Sequence, residues 1–72
     1  MYIYKLVRQI FCRKNIGIYI SYGIECHQNG ILITAVPDIS TDKAFVFRLA
    51  DLLTAEQCEP VHLLDVVEDF MP

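Results

Sequence analysis

Several things are scarce in this sequence, and each scarcity excludes a class of chemistry. No cysteines are spaced as C-x-x-C and no histidines as H-x-x-x-H. A metal site needs three or four ligands that converge at bonding distance. Cys12, Cys26, Cys58, His27 and His62 are scattered along the chain, so no metal and no cofactor is expected. Glu59-x-x-His62 has the spacing of half a di-iron carboxylate motif. It occurs once, and Pro60 makes Glu59 a cap instead. Glycine is sparse and never clustered, so there is no phosphate-cradling loop and no nucleophile elbow. An odd cysteine count without framework spacing reads as reduced thiols and a cytoplasmic location.

Long apolar runs are missing too. Residues 16–24, IGIYISYGI, fall short of the roughly 20 residues that span a bilayer. The first fourteen residues carry charge and no small-residue cleavage site, so neither a membrane span nor a signal peptide is expected. Charge of one sign is absent by region. Residues 1–24 hold Lys5, Arg8, Arg13 and Lys14 and no acid, whereas residues 25–72 hold all nine acids and only Lys43 and Arg48. The simplest consequence is that the two parts complement each other, within the fold or between subunits. Four scattered bases in a chain of net charge −3 argue against nucleic acid as a partner.

What is present is apolar side chain. The chain has 72 residues, enough for a single domain (1–72), and 54% of them are hydrophobic. A domain this small buries only roughly 60% of its unfolded surface. An apolar excess in so small a chain points to a homo-oligomer, most simply a dimer, or to another protein partner.

Residues 2–11 are rich in Tyr, Ile, Val and Phe, which favours a strand. Neither face is decisively apolar; the one with Tyr2, Tyr4 and Leu6 is the better candidate for burial. Residues 16–28 alternate more cleanly, with Ile16, Ile18, Ile20, Tyr22, Ile24 and Cys26 on one face. Asn29-Gly30 then predicts a type I′ turn. Residues 31–36 return. A two-residue turn sets Cys26 opposite Ile33, with Ile31, Ile33 and Ala35 inward and Leu32, Thr34 and Val36 outward. Pro37 should end the strand. Ser40 or Thr41 caps a helix over about 41–53, with Phe45, Val46, Leu49, Leu52 and Leu53 as its apolar stripe. Pro60 opens a second helix over about 60–70. There Leu63, Val66, Val67 and Phe70 face inward. The expected fold is α+β: a three-stranded antiparallel meander with two C-terminal helices on one face.

SYGIEC (21–26), DISTDKAFVFRLADLL (38–53) and PVHLLDVVEDF (60–70) together resemble a family of short proteins from clostridia-like Firmicutes, a domain of unknown function. The similarity covers roughly residues 19–70. It implies a bacterial, cytosolic protein and carries no activity or catalytic residue with it.

Glu25-Cys26-His27 is the only stretch that suggests catalysis. In a strand, adjacent side chains point to opposite faces. Cys26 should go into the core while Glu25 and His27 share the open face, so no nucleophile–base pair forms and no enzyme activity is expected. His62 and Asp65 lie three apart on one helix face, where a local hydrogen bond would orient the ring; tucked instead under the connector after the first helix, His62 would be a structural histidine. Asp65, Glu68 and Asp69 form an acidic patch suited to a basic partner. Leu32 and Val36, with Tyr19 near them, place apolar surface on the open sheet face. These residues favour a non-enzymatic, self-associating interaction module. The alternative is a small regulatory or ligand-sensing protein with a site at the sheet–helix edge near Asp38, Ser40 and His62.

Overall fold

The computed structural model describes residues 1–71. Three strands, β1 (Tyr2–Arg13), β2 (Gly17–Gln28) and β3 (Ile31–Ser40), form an antiparallel sheet in the order β1-β2-β3. Helix α1 (Lys43–Ala55), a short 3-10 turn (Pro60–His62) and helix α2 (Leu63–Phe70) follow. The fold is the α+β arrangement expected from the segregated element order.

Two turns set the strand pairing. Ile16 N–H bonds the Arg13 carbonyl at 3.2 Å, and Gly17 follows with φ of 88°. This is a tight turn closed by a glycine in the left-handed region, and it keeps β1 and β2 in register from Arg13↔Gly17 to Tyr2↔Gln28. Asn29 and Gly30 have φ of 53° and 77°, the conformation a type I′ turn demands. Gln28 pairs with Ile31 as the two-residue turn requires.

Beyond that pair the register departs from expectation. His27 pairs with Leu32, but Cys26 pairs with Thr34 and not with Ile33. One extra residue in β3 forms a bulge. It reverses the parity of everything after it, so Val36 lies opposite Ile24 and packs on the core, while Ala35 faces out. Val36 is therefore on the helix-covered face and not the open one. Nor does Pro37 end the strand. A second irregularity at Pro37 and Asp38 lets β3 skip past its missing N–H and rejoin β2 at Tyr22↔Ser40.

The core joins one sheet face to both helices. Tyr4, Ile24, Cys26 and Ile39 meet Val46, Leu49, Ala50 and Leu53 of α1 and Leu63 and Val67 of α2. The α1 stripe is rotated slightly from expectation, with Ala50 buried and Leu52 exposed. Phe70 is also exposed, at 48%. Asp42 caps α1, not Ser40 or Thr41: its carboxylate accepts from Phe45 N–H at 3.2 Å, and Ser40 Oγ accepts from Asp42 N–H at 3.0 Å. The C-terminus of α1 closes with paired bonds from Gln57 N–H to Thr54 O and Cys58 N–H to Leu53 O. That geometry puts Gln57 at φ of 49°, where glycine is usual.

Gln57 is held there by β1. Its side-chain amide accepts from Tyr2 N–H and donates to Tyr2 O, both at 2.9 Å, as a neighbouring strand would. Thr54 Oγ1 does the same service for Tyr4 N–H at 2.9 Å. The Tyr4 hydroxyl, buried under α1, donates to the Cys58 carbonyl, and burial together with Cys26 and Cys58 pushes its pKa well up. The first third of the β1 edge is thus closed by side chains. The backbone groups of Leu6, Arg8, Ile10 and Cys12, which continue the same edge, have no such partner among the described residues.

Candidate functional site

Two features stand out from the packed body: a bare β-arm and a pinned bulge on the reverse face of the sheet. The arm follows from strand length. Twelve residues at about 3.3 Å each span roughly 40 Å, which is the 39 Å long axis of the molecule. β3 pairs with β2 in the sheet only from Tyr22 onward, and α1 begins just after Ser40, which pairs with Tyr22. Residues 9–20 therefore extend past the helices and past the sheet pairing of the third strand, which touches them only through the Asp38 bulge on the reverse face.

Ile10, Cys12, Ile18 and Ile20 continue the same sheet face that carries Tyr4, Leu6, Ile24 and Cys26. Near the helices that face is core. On the arm it is bare: Ile10 is 65% exposed, Ile18 77% and Ile20 41%. Ile10 pairs with Ile20 and Cys12 with Ile18, so these residues form one contiguous patch. A two-stranded ribbon is marginally stable alone, and an exposed cluster of isoleucines marks a contact surface. Lys14, with Arg8 at the arm's base, gives this end of the sheet positive charge, and Arg13 is paired with Asp38; there is no acid from residue 8 to residue 24.

The arm's other face is braced by the bulge. Asp38 sits at φ of 54°, and its backbone N–H donates to Gln9 Oε1 at 3.1 Å. Its carboxylate accepts from the Tyr19 hydroxyl and from Arg13 Nη2, each at 2.8 Å. Phe11 stacks on Tyr19 with centroids 5.6 Å apart, and the Arg13 guanidinium lies 6.0 Å from the Tyr19 ring centre. Ser21, fully buried beneath, donates to the Ser40 carbonyl at 3.1 Å. Ser21, Tyr19 and Arg13 hold the Asp38 carboxyl below its ordinary 3.8. A serine has one proton to give, and here it goes to Ser40, so Tyr19 and Arg13 are the donors seated on the carboxylate. Burial and the bond to Asp38 raise the Tyr19 phenol.

This network predicts an acid sensitivity. A carboxyl whose pKa is depressed by folding adds stability above its unfolded value, and that stability is lost as pH falls through the lower folded value. Urea unfolding should show wild type losing stability as pH drops through and below 3.8, with Asp38→Asn less stable at neutral pH and flatter across that window. Equal slopes for the two proteins would remove Asp38 from the account.

The residues singled out in the sequence separate. Cys26 is 0% exposed in the core. His27 Nε2 meets Glu25 Oε1 at 3.0 Å on the open face, so the thiol and the imidazole lie on opposite sides of the sheet. Leu32 is exposed opposite His27. Tyr19 is engaged with Phe11 and Asp38 and is not a free apolar contact. Asp65, Glu68 and Asp69 are exposed on α2. His62 is exposed as well and makes no side-chain hydrogen bond to Asp65; it is not tucked under the connector. Asp38, Ser40 and His62 do not converge on one cavity. Ser40 lines a cleft of about 400 Å3 with Ile39, Asp42, Phe45, Phe70 and Met71. Among the described residues no group of three or more His, Cys, Asp or Glu side chains is placed to share a metal, and no helix is long and apolar enough to cross a membrane. Composition alone makes residues 2–11 a core strand and does not show the arm. Its signal was present in Ile10, Ile18 and Ile20 continuing the inward parity into a basic, acid-free segment.

Neither the curated proteins nor the solved structures gave a match. A family described as being of unknown function, DUF6514, matches over residues 1–72. The chain belongs to that family, DUF6514, whose match extends across the arm as well as the helical body.

Proposed function

We propose that this chain is a non-enzymatic, self-associating interaction module of the bacterial cytoplasm. The observation that carries this reading is the bare isoleucine face of the arm, continuous with the core yet uncovered. The buried thiol, turned away from His27, supports a binding role over a catalytic one. The contact surface shifts from the open sheet face to the arm, because Val36 is core and Tyr19 is occupied. Leu32 is exposed together with Ile31 and Ile33, next to the Asn29-Gly30 turn and away from the arm.

Two variants test the reading. Ile18→Glu places a carboxylate in the isoleucine patch, where contact would strip its water. That should cost about 2–3 kcal/mol of association, roughly 100-fold in Kd at 1.4 kcal/mol per tenfold. Leu32→Glu should leave association within about threefold. Light scattering across a concentration series reads both. Association unchanged by Ile18→Glu would contradict an arm-mediated contact. The ligand-sensing alternative is less favoured, since Asp38 is already satisfied by Arg13, Tyr19 and Gln9.

A further inference from the structure

On the helical side of the body, α1 and α2 both face a shared hollow. An apolar groove runs between them, lined by Leu52, Leu53, Cys58, Val66 and Phe70, with a volume of about 360 Å3. Phe70 bridges it to a neighbouring hollow formed with Phe45 and Leu49. The surroundings are mostly acidic, although Arg48 lines the neighbouring hollow. From residue 49 onward the chain has Asp51, Glu56, Glu59, Asp65, Glu68 and Asp69 and no lysine or arginine. Glu56 itself lines the groove.

The arm is the complement of this groove in both respects. It presents isoleucines where the groove presents leucine, valine and phenylalanine. It carries Arg8 and Lys14, with Arg13 already paired to Asp38 on the reverse face, where the groove has mainly acids beside it and Arg48 is confined to the neighbouring hollow. The arm cannot reach the groove of its own chain, because it points away past the N-terminal end of α1 while the groove opens toward the C-terminal end, at Glu56 and Cys58. We propose that the groove between α1 and α2 receives the β-arm of a second copy of this chain, and that charge complementarity selects the arm. This rests on the arm being the self-association surface and adds where it docks. An exchange in which each copy gives its arm to the other closes as a two-fold dimer. A one-way exchange would extend into a chain of subunits. Opposed charges at the rim also make the encounter salt-dependent.

The protein's own cysteines report the geometry. Cys12 is exposed on the arm, Cys58 lines the groove and is partly exposed, and Cys26 is sealed in the core. A short bismaleimide cross-linker applied to the native protein, followed by digestion and mass spectrometry, reads which thiols lie together between copies. A mixture of isotopically light and heavy chains identifies links that join different copies. The expected product is a light–heavy link from Cys12 to Cys58, reduced several-fold by Leu52→Glu, at an exposed groove position, and by raising salt to 1 M. Links from Cys12 to Cys12 alone, in a protein that still associates and tolerates Leu52→Glu, would overturn the groove while sparing the arm. A chain that stays monomeric and forms no link between copies would overturn both.

Discussion

Gly23→Ala should be among the most disruptive single-methyl additions in this chain. Gly23 lies where the bulge of β3 folds across the open face of the sheet. A Cβ there would sit 2.6 Å from the Val36 carbonyl oxygen and 3.0 Å from both Gln9 Oε1 and Pro37 Cα. Two of those atoms belong to backbone and cannot swing aside. The bulge must lift, and with it the anchors of Asp38 on Gln9, Tyr19 and Arg13. Overpacking of this kind costs about 3 kcal/mol. A 72-residue chain has a total stability of roughly 4–11 kcal/mol, so the thermal midpoint should fall by about 15 °C. Gly17→Ala is the control. Its φ of 88° disfavours a side chain, but nothing lies within 4 Å of the new methyl. Its cost should be only about 1 kcal/mol. Equal shifts for the two variants would show that the bulge does not press on Gly23.

Leu63→Ala should have a comparable or larger effect. Leu63 opens α2 and is buried to 1% exposure against the core. Few contacts other than Leu63 and Val67 hold this eight-residue helix to the body. A helix so short is not stable alone. Truncation leaves a cavity and removes one of its two anchors, for about 3–4 kcal/mol. The urea midpoint should drop by about 3 M at the slope of roughly 1 kcal/mol/M expected for a small domain. Leu64→Ala, one residue on and exposed, should shift stability by less than about 0.5 kcal/mol. A small effect of Leu63→Ala would mean that α2 does not dock as described.

These two sites differ in how far the sequence revealed them. Leu63 and Val67 follow from helical spacing after Pro60. Gly23 was read only as one more odd-numbered strand position, since nothing local marks what crosses over it. The same contrast runs through the sheet. Asn29-Gly30 announces its turn by residue type, because few residues accept positive φ in succession. The bulge that follows has no such signature. Residues 31–36, ILITAV, are apolar at both parities apart from Thr34, so either register buries hydrophobic side chains and alternation cannot choose between them. Packing against α2 chooses instead. Pro37-Asp38 resembles a strand end because proline lacks an N–H. It becomes a bulge because Gln9, Tyr19 and Arg13, distant in sequence, capture Asp38. Gln57 is hidden for the same reason: its left-handed conformation is favoured by Tyr2, fifty-five residues away. Tertiary partners set the details that local chemistry left open.

The arm falls between these cases. Its isoleucines kept the inward parity, and its charge was one-signed. The strand lengths that carry it beyond the body emerged only from where β3 and α1 stop. Sedimentation equilibrium of the purified chain tests this central claim most directly. At tens of micromolar and moderate salt, the account predicts a mass of twice the 8.3 kDa protomer, shifting toward the protomer as salt rises. A mass that stays at one protomer up to several hundred micromolar would contradict it.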